Sequence, residues 1–360
     1  MFREGELAVR LRLQEGQIRS VQIDSTRAPL PPQLTCGRTA EQVACTLPLL
    51  FSICARAQAA AAAGALDAAR GRAPDEAAQR QRSDDVRREA AVELLTRLLI
   101  DWPRVMGATP DVRAVAQARQ ARLPPALAIY RGIARDRIYD SDPEQWLAEP
   151  TLAALDRWIA TATTVPAQLL GRLLREVPGL GRSDVRSMPH ACGATIRAML
   201  PSFDADPGFS RLPDWNGMPV ETGALARRAH HPLVAAFAQR DGNSVAARFV
   251  AQLVDLATLV TEVHDTHVVR QHVAGPGVGI GIAETARGLL LHQAEVATDA
   301  RVERYRVIAP TEWNFHPDGA LTQGLKDRRV ADAAAARRDA MLLAQALDPC
   351  VAITVEAAYA

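Results

Sequence analysis

Lysine is nearly absent from this 360-residue chain: Lys326 is the only one, and arginine supplies the rest of the positive charge. Forty-two basic side chains stand against 41 acidic ones, interspersed along the chain, so no basic patch argues for a nucleic-acid partner. Long apolar runs are missing too. Arg or Asp interrupts each well before membrane-spanning length, which argues against a membrane span. No signal peptide follows Met1, and a cytoplasmic location is expected. The cysteines are few, odd in number and scattered: Cys36, Cys45, Cys54, Cys192 and Cys350. That pattern argues against a disulfide framework and for reduced thiols.

What is present is apolar and alanine-rich. Nearly half the residues are hydrophobic, enough for a substantial core in one large domain. Residues 6–24 alternate around Glu15-Gly16, with Leu7, Val9, Leu11 and Leu13 on one face, and read as a β-hairpin. An alanine-rich stretch from Cys54 to Ala69 reads as helix. So do residues from about Ser83 to Ile100, where Leu94, Leu95, Leu98 and Leu99 keep a helical period. Segments 110–134, 150–177, 244–267 and 331–347 are further helices. Residues 178–218, rich in Gly, Pro, Ser and Asp, read as an irregular excursion packed by Phe203, Phe209 and Trp215. No internal repeat appears.

The polar residues that stand out are late in the chain. Ala283-Glu284-Thr285-Ala286-Arg287-Gly288 is followed by His292, then by Pro310-Thr311-Glu312-Trp313-Asn314-Phe315, and finally by Asp348-Pro349-Cys350-Val351-Ala352-Ile353. Few polar groups in an apolar region is the composition of a small enclosed site with sparse, fixed donors. The glycine run 274–282 lacks the lysine of a phosphate loop and reads as a tight, backbone-close entry into the arginine segment. Pro-His-Ala-Cys-Gly at 189–193 offers His190 and Cys192, half a zinc site with no second pair. His264 and His267 share a helix face at a ligand-compatible spacing, but interaction with the helix C-terminal dipole is the plainer role. A metal-dependent hydrolase built on them lacks an accompanying carboxylate motif.

These motifs resemble the C-terminal half of the nickel-iron hydrogenase large subunit, which shows Glu-Ala-Pro-Arg-Gly, His, Pro-Thr-Thr-Trp-Asn and Asp-Pro-Cys-x-x-Cys-x-x-His. Val220-Glu221-Thr222-Gly223-Ala224-Leu225-Ala226-Arg227 is similar to a further family segment, and Cys54 matches the first cysteine of the early pair if one residue is deleted ahead of it. The departures are informative. Ala57 and Ile353 stand where second cysteines are expected, Glu356 where the last histidine is, and Ala286 where the proline is. The early Arg-Gly-x-Glu motif is not recognisable in the Pro-rich run near Leu30. A hydrogenase-like frame with half its thiolates missing resembles the HupK/HoxV family of hydrogenase maturation proteins.

The resemblance implies a mainly α fold, hydrogenase large-subunit-like, in a single domain spanning 1–360 with a small N-terminal hairpin over 1–25. It implies an accessory protein without hydrogenase activity and without nickel. It implies transient binding of an Fe(CN)2(CO) unit, with Cys54 and Cys350 as metal ligands. Arg287 and Thr311 would serve the two cyanides, and Leu290, Ala309 and Pro310 would form an apolar wall. The partners it implies are the maturation proteins of the iron-assembly complex and a hydrogenase large-subunit precursor. The competing expectation is a large-subunit mimic that binds maturation partners without carrying iron. Taken singly, Cys54 reads as a small buried residue rather than a ligand, and Arg287 as a buried structural arginine; Trp313 and Phe315 read as core.

Overall fold

The computed structural model describes residues 5–51, 53–73, 75–121, 126–189, 193–206, 208–261 and 269–359. His190, Cys192, His264 and His267 fall outside them, as does the side chain of Phe203.

The alternating N-terminal stretch forms strands β1 (Glu6–Gln14) and β2 (Gln17–Ser25), antiparallel, turning at Glu15 and Gly16 with φ of 52° and 70°. Leu7, Val9, Leu11 and Leu13 point into the main core. Two further short strands, β3 (Arg186–Ser187) and β4 (Val220–Glu221), pair in parallel. An antiparallel sheet follows, built from β5 (Val269–Gly275), β6 (Val278–Thr285), β7 (Gly288–Val296) and β8 (Val302–Ile308) in sequential order. The last strand, β9 (Ala352–Tyr359), returns to lie parallel to β1, so the hairpin becomes a three-stranded sheet ordered β2-β1-β9.

The mainly α expectation therefore needs correction. Half the chain is helical, but a four-stranded sheet occupies 269–308, including the glycine run read as a turn. Gly279 and Gly281 are strand residues whose missing side chains let an alanine-rich helix lie directly on the sheet. A Cβ on Gly281 would stand 1.8 Å from the Ala61 carbonyl oxygen, and one on Gly279 2.1 Å from the Ala69 nitrogen. The excursion over 178–218 also holds a helix, Gly193–Ala205, and buries Phe209 edge-on to Trp313.

The helix Val245–Val260 is buried on every side, as a core-spanning helix must be. Its polar side chains are all engaged. Arg248 pairs with Glu221 at 2.6 Å, Asp255 holds Arg227 at 2.8 Å and Arg228 at 2.9 Å, and Gln252 accepts from the Trp102 indole at 2.8 Å. Such pairs are costly to bury unless fully satisfied, and they fix the register of this helix against the 220–228 segment.

Candidate iron-binding site

Four segments meet at one cavity. The first is the start of the alanine helix, Ala55–Ala69, whose N-cap is Cys54. The second is the β6–β7 turn. Thr285 Oγ1 accepts the backbone N–H groups of Arg287 and Gly288, both at 3.1 Å, and a tight turn puts Arg287 at its corner. Gly288 has φ 130°, and a Cβ there would lie 2.5 Å from Thr222 Cγ2, so only glycine fits. The third is the short helix Pro310–Asn314. The fourth is the end of the last helix, Ala333–Leu347, where Asp348 at φ 56° turns the chain toward Cys350. Asn314 ties three of these regions together. Its Oδ1 accepts from Thr222 N at 2.8 Å, and its Nδ2 donates to Leu347 O at 3.1 Å and Arg287 O at 3.4 Å.

Cys54, Arg287, Leu290, Ala309, Pro310 and Cys350 all line the cavity. It holds about 60 Å³, far below the ~300–1,000 Å³ of pockets that take drug-sized ligands. Thr311 lies behind Cys350: its hydroxyl donates to Cys350 Sγ at 3.0 Å and accepts Cys350 N at 3.2 Å. Arg287 is buried and held from two sides, by Glu93 at 2.8 Å and Asp348 at 3.2 Å. The Asp348 contact is an ion pair whose angle is too poor for a hydrogen bond. Burial works against the charge of Arg287, but Asp348 and Glu93 outweigh it and raise its pKa. Asp348 is itself shared with Arg97. The Nη1 hydrogens of Arg287 have no partner among the described residues.

The Cys54 thiol is pushed up to about 12, first by burial and then by the Cys350 sulfur and Glu89; the Gln58 amide, 3.6 Å from Sγ, and Arg287 pull the other way. Gln58 does not act alone. Its Oε1 meets His292 Nε2 at 2.9 Å, and His292 Nδ1 meets the Tyr305 hydroxyl at 2.7 Å. Burial lowers His292 to about 3, so the ring is neutral. The partners set its tautomer: Nε2–H donates to the Gln58 carbonyl oxygen and Nδ1 accepts from Tyr305, leaving the Gln58 amide to face sulfur.

Sequence reasoning missed Arg27, Gln58, Glu89, Glu93 and Asp348. Gln58 had a usable signal, being one helical turn from Cys54. Asp348 had one too, standing in the Asp-Pro-Cys motif two residues ahead of Cys350; Arg27, Glu89 and Glu93 are joined to the site only by tertiary contact. Ala57, at one expected cysteine position, is fully buried and donates its N–H to Glu89 at 3.0 Å. Ile353, at the other, lies on β9 opposite Leu7.

This cavity, closed by a short Pro-Thr helix, an arginine turn and two thiols, sits on a helical and sheet frame of the fold class of the nickel-containing hydrogenases. The family model described as nickel-dependent hydrogenase matches residues 222–356. A Ni-Fe-Se hydrogenase of D. vulgaris Hildenborough shares the fold with a TM-score of 0.60 at 15% identity, covering 94% of each chain. An NAD+-reducing NiFe hydrogenase does so at 0.56 and 16%, again over 94% of each.

Within that class, the chain belongs to the HoxV/HupK/HupV family of hydrogenase expression/formation proteins. It is 31% identical to HoxV of Cupriavidus necator, covering 99% of this chain and 97% of the relative. It is 33% identical to HupV of Azotobacter chroococcum and 34% to HupK of Azotobacter vinelandii, each over 99% of both chains.

Proposed function

We propose that the protein is a carrier: it takes an Fe(CN)2(CO) unit between Cys54 and Cys350 and passes it to the precursor of a nickel-iron hydrogenase large subunit. The observation that supports this reading most is the convergence of two thiols, separated by most of the chain, on a single small cavity beside a guanidinium whose Nη1 hydrogens have no partner among the described residues. Thiolates suit a soft iron centre, and cyanide nitrogens are strong anionic acceptors for a guanidinium. Leu290, Ala309 and Pro310 supply the apolar wall for the carbonyl ligand. Thr311 spends its one hydroxyl hydrogen on the Cys350 sulfur, so in this arrangement its part in holding cargo runs through that sulfur rather than through a cyanide.

Among the described residues, only Cys54 and Cys350 bring sulfur to the cavity. Two thiolates suffice to hold iron and leave nickel without its four, so hydrogen turnover is not expected and the cargo remains releasable. The maturation proteins that build the iron unit are the donor partners in this scheme. A large-subunit mimic that recruits these partners without iron is the second reading; the fold match over nearly the whole chain favours it as much as it favours a carrier.

Infrared absorption in the cyanide and carbonyl stretching region separates the two. Protein made in a host with the maturation genes should show bands for both ligand types, and Cys350→Ala should lose them. Arg287→Lys keeps a charge beside Asp348 but loses the planar fork. It should retain the unit about tenfold to a hundredfold less well, the equivalent of one charge-assisted hydrogen bond. A wild-type protein with no such bands would leave the mimic as the function.

A further inference from the structure

The Pro-rich run that follows β2 carries no recognisable family motif, yet it delivers a cation to the site. Arg27 lines the cavity with its side chain only 14% exposed. Its Nη1 donates to Cys350 Sγ at 3.1 Å and its Nε donates to Glu312 Oε1 at 2.7 Å. Glu312 is fixed in turn, because its Oε2 accepts Ala309 N at 3.2 Å. With Thr311, two donors converge on the Cys350 sulfur, whereas the Cys54 sulfur is approached by the Gln58 amide at 3.6 Å. The Nη2 hydrogens of Arg27 have no partner among the described residues.

We propose that Arg27 is a cargo-binding residue: it holds the Cys350 sulfur as an iron ligand and turns its remaining N–H groups to the anionic unit. This rests on the carrier reading. An iron(II) centre with a carbonyl, two cyanides and two thiolates is a dianion, and of the two buried arginines at the cavity Arg27 is the less offset by carboxylates. Arg287 faces two carboxylates, Glu93 and Asp348, while Arg27 faces Glu312 alone. The second consequence is electronic. Hydrogen bonds to a metal-bound thiolate draw electron density off the sulfur and weaken its donation to iron. Arg27 therefore attracts the cargo by charge and at the same time softens the Fe–S bond that must break on transfer. The two sulfurs play unequal parts, with Cys350 the one whose bond strength is set by the protein.

The rival role for Arg27 is a staple, an ion pair joining the start of the chain to the 310–314 helix. Infrared spectra of wild type, Arg27→Gln and Arg27→Lys, each prepared with the maturation system and matched for folded fraction by circular dichroism, distinguish the two. Removing the guanidinium should move the carbonyl stretch to lower wavenumber, because the sulfur then donates more strongly. Arg27→Gln should also lose iron about tenfold to a hundredfold faster during gel filtration, the lost charge-assisted hydrogen bonds to the dianion outweighing the firmer Fe–S bond, with Arg27→Lys between. Wild-type band positions and iron content in Arg27→Gln would overturn the proposal while leaving the carrier reading intact. Absence of bands in the wild type would overturn both. Should Arg27→Gln not fold, Arg27→Lys decides: an unshifted carbonyl stretch there refutes the proposal.

Discussion

A thiol pushed up to about 12 is neutral at physiological pH, so the metal ligation proposed for Cys54 would have to release a proton. In the cargo-free protein its alkylation by iodoacetamide should lag far behind that of exposed Cys45 at pH 7. The rate should then climb about tenfold per pH unit until the pH nears 12, following the thiolate fraction. Peptide mass spectrometry after timed labelling reads this directly. His292 makes a complementary prediction. Its folded pKa of about 3 lies below the ordinary value of 6.5, so the unfolded chain takes up a proton that the folded one refuses. Its contribution to stability is complete above pH 6.5 and falls by about 1.4 kcal/mol per pH unit as acid approaches pH 3. His292→Leu should flatten that part of the acid-unfolding curve. It should also cost about 2–4 kcal/mol at neutral pH by stranding Gln58 and Tyr305.

The strand that carries two glycines against the alanine helix is the element on which the site depends. Gly281→Ala would place a methyl group within 1.8 Å of a backbone oxygen, and no side chain there can swing aside. Urea unfolding should show a loss of at least ~3 kcal/mol, the upper end of ordinary overpacking. Cys54, at the N-terminus of the displaced helix, should gain reactivity. Gly132→Ala, in a helix with open space around the new methyl, should be neutral or stabilising by up to ~1 kcal/mol. The same strand shows where sequence reading stopped. The run Val278-Gly279-Ile280-Gly281-Ile282 does alternate, with the isoleucines in one cluster and the glycines on the helix. The signal is hidden because the buried partner of those glycines is another backbone. The hairpin was legible since its buried face carries leucine and valine. Cys54, Arg287, Thr311 and Cys350 were legible through family motifs. Arg27 and Glu93 were not, because only the folded chain brings residues from opposite ends together.

At the scale of the molecule, first and last strands are neighbours. β9 runs beside β1 from Glu6↔Ala352 to Leu13↔Tyr359, and Cys350 sits just ahead of that pairing. A chain ending at Val351 should lose the outer strand. Its thermal midpoint should fall, and Cys350, no longer drawn toward Arg27 and Thr311, should be labelled as readily as Cys45. Differential scanning calorimetry and the labelling assay would check the two halves; an unchanged midpoint would refute the role given to β9.

That adjacency also sets a timetable. A ribosome adding ~5–20 residues per second releases Arg27 and Cys54 long before it reaches Cys350. A nascent chain can fold its hairpin and its alanine helix, yet it has half a site until Cys350 and the strand after it have been made. A chain interrupted before Cys350 therefore lacks one of the two thiols that line the cavity.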